Sequence, residues 1–218
     1  MGILYIIATP IGNLEDISKR AIRILSEVDL ILCEDTRVTK KLLDHYQIKT
    51  LTLSYHQYSE FKRTEEIRTM LENGKNLALV SDAGTPGISD PGNRLIEQLS
   101  VPVVPVPGPS ALIAAASIAG FQMDKFMFLG FPPVKKKRKK FFEEAVNSKY
   151  PVVFYESPYR IIKTLEELSS LNAERKIVVC RELTKKFETV YRGSAKEVLA
   201  KLPKDEIKGE FVVVVKDK

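Results

Sequence analysis

Short apolar runs alternate with segments of helical periodicity along almost the whole chain, and that alternation restricts the fold more than any other feature. Segments of four to six mostly apolar residues read as strands at Ile3–Ala8, Leu30–Cys33, Leu51–Tyr55, Leu77–Val80 and Val101–Val106. Between them lie helical patterns: Leu14 to Val28 with Asn13 as N-cap, Thr39–Tyr46, a helix opened by Ser59 and closed by Gly74, and Asn93–Leu99. A strand–helix–strand alternation of this kind predicts an α/β fold, with a mostly parallel sheet covered by helices on both faces.

Four prolines between Val101 and Ser110 interrupt the pattern, and a small-residue helix, Ala111–Ala119, follows. The domain boundary is placed there, giving domains 1–110 and 111–218. The second half predicts strands Phe126–Phe131, Val152–Tyr155, Ile177–Cys180 and Phe211–Val215, with Glu188–Tyr191 left unassigned. Its helices are expected at Lys135–Val146, Tyr159–Leu168 and Lys196–Leu202, so this domain is α/β with a mixed sheet.

At 218 residues the chain is long enough for one large core or two modest ones. No apolar stretch reaches the length of a membrane span, and the N-terminus lacks the basic segment of a signal peptide. Cys33 and Cys180 lie inside apolar runs and read as core thiols, so a cytoplasmic location is expected. With only His45 and His56, the chain has too few soft ligands for a zinc site, and no metal is expected. The net charge is +6, and the run Lys135, Lys136, Lys137, Arg138, Lys139, Lys140 alone carries six positive charges. The rest of the chain is therefore balanced, and the basicity is a local feature suited to a polyanion or to a solvated surface.

The Ser81–Gly92 segment directly follows a strand and packs three glycines, two prolines and two aspartates into twelve residues. It is too long and too stiff for an ordinary turn, and it sits where open α/β sheets bind ligands. There is no P-loop, no G-x-G-x-x-G dinucleotide motif, no H-E-x-x-H and no nucleophile elbow. What remains is a set of polar or glycine-rich loops at 9–13, 34–37, 55–57, 81–92 and 107–110. In a parallel sheet these loops share one edge.

Six segments stand in order: Thr9–Asp16, Cys33–Arg37, Ser81–Gly92, Pro107–Ala111, Phe128–Phe131 and Tyr155–Arg160. Together they resemble the tetrapyrrole-methylase fold superfamily, and within it the branch that methylates small-subunit ribosomal RNA. The resemblance covers nearly the whole chain. It implies two α/β domains with S-adenosylmethionine (S-adenosyl-L-methionine) in the cleft between them, and 2′-O-methylation of a cytidine in 16S rRNA near the decoding centre. It also implies a homodimer acting on small-subunit rRNA or the assembled small ribosomal subunit. The cofactor contacts it implies are Pro10, Ser81, Asp82, Ala83, Gly84, Ile88, Ser110 and Ala111, then Leu129, Tyr155, Glu156, Arg181, Glu182 and Leu183 in the second half; Glu156 either binds the cofactor's amino group or caps the next helix. The segment Thr9–Asn13 replaces the G-x-G-x-G-D loop of porphyrin-precursor methylases, which favours the RNA branch.

A ribose hydroxyl is a poor nucleophile near neutral pH, so a base or a charge beside the developing oxyanion helps. Asp35, Arg37 and His56 are the catalytic candidates. Asp35 either accepts the proton or forms a structural ion pair with Arg37, and Arg37 also suits a phosphate. Lys135 to Lys140 are the candidate RNA contacts. Phe141 and Phe142 either stack on a base or anchor their helix to the core. Two other functions fit the same residues: a methylase of a tetrapyrrole or other small molecule, and a non-catalytic RNA-binding assembly factor.

Overall fold

The computed structural model of the chain describes residues 1–55, 60–90, 92–203 and 207–218, the side chains of 60–62 excepted. The chain divides into two compact units, Met1–Ser110 and Ala111–Lys218.

The first unit is built on a five-stranded sheet of β1 (Leu4–Ile7), β2 (Leu30–Cys33), β3 (Thr52–Ser54), β4 (Leu77–Val80) and β5 (Val103–Val106) in the order β3-β2-β4-β1-β5. Every pairing is parallel, with Leu4 opposite Leu77 and Ile7 opposite Val80 in the central pair. The strands alternate between two buried faces. Ile7, Ile31, Cys33, Ala78 and Val80 pack against α1 (Lys19–Glu27) and α2 (Thr36–His45). Leu4, Leu32, Leu77 and Leu79 pack on the other face with Ile67 and Leu71 of α3 (Glu60–Glu72) and Leu95 of α4 (Gly92–Gln98). This double burial is why β4 reads as an unbroken apolar run. The connections after β1 and β2 leave toward one face and those after β3 and β4 toward the other, so β4 and its neighbours straddle the topological switch of the sheet.

Two helices differ from the sequence reading for local reasons. The segment expected to be one helix from Leu14 is a 3-10 turn, Leu14–Asp16, capped by Asn13, followed by α1 with its own cap at Ser18. The Ser18 hydroxyl accepts from Ala21 N at 3.1 Å. An N-cap needs extended backbone, so the helix cannot run through it. Helix α2 starts at Thr36, three residues earlier than its apolar pattern suggests, because Asp35 caps it. Ser59, the expected cap of α3, lies outside the described residues.

The second unit has a mixed sheet of β6 (Met127–Phe128), β7 (Val152–Glu156), β8 (Lys176–Arg181), β9 (Thr189–Ser194) and β10 (Phe211–Val215), in the order β6-β7-β10-β8-β9. Of its paired neighbours only β6 and β7 are parallel, and β8, antiparallel to β10 as β7 is, runs in their direction. Helices α6 (Arg138–Asn147), α7 (Ile161–Leu171) and α8 (Ala195–Lys201) cover one face through Phe142, Leu165, Leu168 and Val198. On the other face α5 (Ala111–Ser117) approaches β7 and β10. Strand β6 is shorter than expected. Leu129 and Gly130 still bond to β7, but Pro132 and Pro133 have no N–H to continue a ladder. Helix α6 starts at Arg138, not Lys135, and Lys137 before it is left-handed at φ 65°.

Candidate active site

The C-terminal ends of β1 to β5 share one edge of the first sheet, so the polar loops after β1, β2, β4 and β5 lie together; of the segment after β3, Tyr55 alone is among the described residues. The loop after β4 is the hub. Thr9, after β1, exchanges two backbone hydrogen bonds with Gly84, at 2.9 and 3.0 Å. The Thr9 hydroxyl donates to the Ser81 carbonyl at 3.1 Å, and the Ser81 hydroxyl donates to the Gly84 carbonyl at 3.1 Å. Asp35 N, after β2, donates to Asp82 Oδ1 at 3.1 Å. The Thr85 hydroxyl donates to the Pro109 carbonyl, after β5, at 3.1 Å.

The far half of this loop braces itself. Asp90 Oδ1 accepts from Gly87 N at 2.6 Å and from Gly92 N at 2.9 Å, while Asn93 Nδ2 donates to the Gly87 carbonyl at 2.8 Å. Gly84 and Gly87 both have positive φ, 84° and 86°. These bonds leave Asp82, Ala83 and Ile88 exposed on a fixed backbone strip whose largest side chain at 83–84 is a methyl group. Such a strip lets a ligand approach the main chain closely. A narrow pocket opens beside it, lined by Glu34, Tyr55, Ser81, Pro86 and Asp90.

Asp35 and Arg37 form a bidentate pair, with Nη2 2.7 Å from Oδ2 and Nε 3.1 Å from Oδ1. Asp35 Oδ1 also accepts from Arg37 N at 2.8 Å, which is its capping bond. The Arg37 side-chain bond, then the backbone bond, hold the Asp35 carboxyl down at about 2. A carboxylate so stabilised is a weak proton acceptor near neutral pH, which argues against Asp35 as a base and for the ion-pair alternative. The Arg37 side chain is 87% exposed and its guanidinium faces solvent. His56 lies outside the described residues.

In the second unit, Leu129, Tyr155 and Arg181 to Leu183 follow or end β6, β7 and β8 on one edge of its sheet. Tyr155 packs between Phe128 and Phe131, with ring centroids 5.0 and 5.4 Å away. Burial pushes its hydroxyl pKa up, against a hydrogen bond from the Leu112 backbone. Leu129 and Tyr155 are half-buried and Leu183 is buried, an apolar lining suited to an adenine or a thioether. Glu182 is occupied structurally, accepting from Lys185 Nζ at 2.8 Å and from Glu210 N at 2.9 Å. Arg181 Nε donates to the Lys208 carbonyl at 2.9 Å.

Two expectations need correction. Of the two roles open to Glu156, the structure favours the local structural one over the cofactor amino group, because its side chain is fully buried. One oxygen accepts from Ser157 N at 2.7 Å and lies 3.0 Å from Arg160 Nε; the other accepts from the Thr164 hydroxyl at 2.6 Å and lies 3.7 Å from Arg138. Arg138 is not an RNA contact. It is 4% exposed, with Nε 2.8 Å from Glu167, Nη2 2.7 Å from the Thr164 hydroxyl, and its guanidinium 4.9 Å from the Phe142 ring centroid. Of the six cations in the run, the exposed ones are therefore the five lysines Lys135, Lys136, Lys137, Lys139 and Lys140. Phe142 is fully buried and Phe141 packs with it and Phe154, so both anchor α6. The arginine's separate role was visible only as the single guanidinium in a run of ammonium groups, a difference in chemistry rather than in charge.

Comparison with known proteins agrees with this geometry. The family model for tetrapyrrole (corrin/porphyrin) methylases matches residues 3–199. The chain is 45% identical over 220 residues to the ribosomal RNA small subunit methyltransferase I of Synechocystis, covering 99% of this chain and 79% of the relative. It is 43% identical to the protein of that name from Thermotoga maritima, with 100% of both chains covered. Among solved structures, the methyltransferase CobJ is similar at a TM-score of 0.71 and 19% identity, covering 100% of this chain and 95% of that one. Uroporphyrin-III C-methyltransferase from Thermus thermophilus is similar at 0.68 and 15%, covering 99% and 94%. At those identities the two structures speak to the fold alone. The chain belongs to the tetrapyrrole methylase family and, within it, to the ribosomal RNA small subunit methyltransferase I group.

Proposed function

We propose that this protein methylates small-subunit (16S) ribosomal RNA with S-adenosylmethionine as donor, and that the acceptor is the 2′-oxygen of a cytidine near the decoding centre. The observation that carries the reading is the Asp82–Gly84 strip, a side-chain-poor backbone fixed at the sheet's topological switch by Thr9, Asp35 and Pro109. It is joined by nearly full-length identity to relatives that bear the RNA methyltransferase name. The assignment of the cytidine 2′-oxygen rests on the family resemblance.

The residues present fit the donor. When bound, S-adenosylmethionine supplies an electrophilic methyl group on a positively charged sulfur. Pro10, Asp82, Ala83, Gly84, Ile88 and Ser110 in the first unit would bind it through backbone and small side chains. Ala111, Leu129, Tyr155 and Leu183 in the second would supply apolar and aromatic contacts. Ser81 acts one step back, its hydroxyl holding the Gly84 carbonyl.

Transfer to oxygen is an in-line displacement: the new C–O bond forms as the C–S bond breaks, and the ribose hydroxyl loses its proton. Alignment is the main task, and a rigid loop performs it by lowering the entropy cost of the encounter. Arg37 offers a fixed positive charge to a phosphate or to the developing oxyanion, oriented by Asp35. The exposed lysines hold the RNA backbone. His56 is the remaining candidate for the proton. The protein works in the cytoplasm as a homodimer in this reading.

Methyl transfer from labelled S-adenosylmethionine to unmodified small ribosomal subunits, followed by nucleoside mass analysis, tests all of it together. A 2′-O-methylated cytidine is expected. Methylation of a base would overturn the acceptor assignment. A protein that binds the donor yet modifies neither subunits nor naked rRNA would overturn the RNA reading in favour of a small acceptor such as a tetrapyrrole.

A further inference from the structure

The second unit exposes three large apolar side chains around the ends of β6 and β7. Tyr159 is 94% exposed, Val134 66% and Phe131 52%. Their backbone is held unusually firmly. Arg160 Nη1 donates to the Pro132 carbonyl at 3.1 Å, and Arg138 Nη1 donates to the Pro133 carbonyl at 3.2 Å. Both arginines are fixed in turn on the buried Glu156 carboxylate, Arg160 at 3.0 Å and Arg138 at 3.7 Å. The two prolines add their own restriction on φ. Phe131 precedes this pinned pair and Val134 follows it, while Tyr159 precedes Arg160. One buried carboxylate thus sets the positions of both loops and of the side chains they display. Lys135, Lys136 and Lys137 continue directly from Val134 and are exposed.

A solvated loop has no need of two guanidinium groups anchored on a buried carboxylate to hold a phenylalanine and a tyrosine in water. Exposed rings beside a compact lysine cluster match single-stranded nucleic acid, whose bases present π-faces and whose backbone presents the opposite charge. Phe131 is buttressed from behind by Tyr155, with ring centroids 5.4 Å apart. Pre-organisation lowers the ordering cost of binding. We infer that Phe131 and Tyr159 form a stacking platform for unpaired bases of the RNA substrate, with Lys135, Lys136 and Lys137 gripping the adjoining phosphates and the Arg138–Glu156–Arg160 triad acting as its mount. This rests on the proposed RNA substrate and adds how that RNA is gripped.

The chain contains no tryptophan, so Tyr159→Trp creates a unique fluorophore at the platform. Its emission is titrated with a single-stranded RNA oligonucleotide and, separately, with inorganic polyphosphate, which carries the charge without the bases. Quenching by RNA and none by polyphosphate is expected. Tyr159→Ala and Phe131→Ala are each expected to weaken RNA binding, followed by anisotropy, at least about fivefold. RNA that binds without quenching, or with affinity unchanged in both alanine variants, would overturn the platform. So would no oligonucleotide binding at all, or a fall in sedimentation mass for Tyr159→Ala with RNA affinity intact, which would make the patch a protein interface. Stacking by a protein that methylates no subunit would support the platform while removing the enzymatic reading. Methylation with an unchanged KM for subunits in both alanine variants would do the reverse.

Discussion

Arg138 and Glu156 face each other at 3.7 Å inside the second unit, with side chains 5% and 0% exposed. Each is held by further partners, and Thr164 bonds to both. A buried pair of this kind adds little relative to apolar residues of similar volume, but removing one member leaves the other charged and unsolvated. Glu156→Ala should therefore cost about 3–5 kcal/mol of stability by urea unfolding. Glu156→Gln, which keeps an acceptor for Thr164, should cost less. A loss below about 1 kcal/mol in the alanine variant would show the triad to be relaxed or hydrated.

The same burial separates Arg138 from its lysine neighbours in function. Replacing Lys135, Lys136, Lys137, Lys139 and Lys140 with glutamine should flatten the dependence of log RNA affinity on log salt by about 2–3 units, at about 0.7 per single-stranded phosphate contact. The melting temperature should barely move, because all five are exposed. Arg138→Gln should show the converse, with lower stability and a salt slope close to that of the parent. An unchanged slope in the lysine variant would make the cluster a solvated surface.

Asp35 gives a prediction with a sign. Its folded-state carboxyl sits at about 2, below the unfolded value, because Arg37 and the α2 amide stabilise the charged form. The stability it contributes is full above the unfolded carboxylate value near 4 and is lost as pH falls through about 2. Nothing in turnover between pH 5 and 9 should titrate with it. Asp35→Asn keeps an N-cap oxygen and should fold normally, losing only the ion pair that orients Arg37; Asp35→Ala loses the cap as well and should destabilise α2. Measured turnover of Asp35→Asn should fall severalfold with donor affinity preserved. A fall of three or more orders of magnitude would restore Asp35 as the base.

How much was legible beforehand follows from what each signal encodes. Strands β2, β4 and β10 are recognisable because burial on both faces forces an unbroken apolar run. The converging loops followed from that, since a parallel sheet places every strand's C-terminal end on one edge. Helix starts were harder. Apolar periodicity marks a buried face, whereas Asp35 and Ser18 set their helices through one side-chain oxygen each. The burial of Glu156 and Arg138 is not legible from charge and local neighbours. Their roles come from partners reached only in three dimensions: Arg138 is 26 residues from Thr164 and 29 from Glu167. The exposed Phe131 and Tyr159 left no periodic trace, because a displayed side chain and a buried one look alike in a loop.

The β4 loop supplies the sharpest test of the proposed donor site. Gly87 has φ +86°, and a Cβ there would stand 2.5 Å from Asn93 Oδ1. Asn93 cannot simply move aside, because its amide donates to the Gly87 carbonyl at 2.8 Å. Gly87→Ala therefore meets two separate obstacles, a backbone conformation unfavourable to L side chains and a steric overlap. Its cost should be about 1–3 kcal/mol. Because Asp90 bonds both Gly87 N and Gly92 N, the disturbance should spread along the loop and weaken S-adenosylmethionine binding by titration calorimetry. Adding Asn93→Ala removes the overlap but not the φ strain, so the double variant should recover part of the stability and part of the donor affinity. Full recovery would assign the whole cost to sterics. Lost stability with donor affinity unchanged would detach this loop from the donor site.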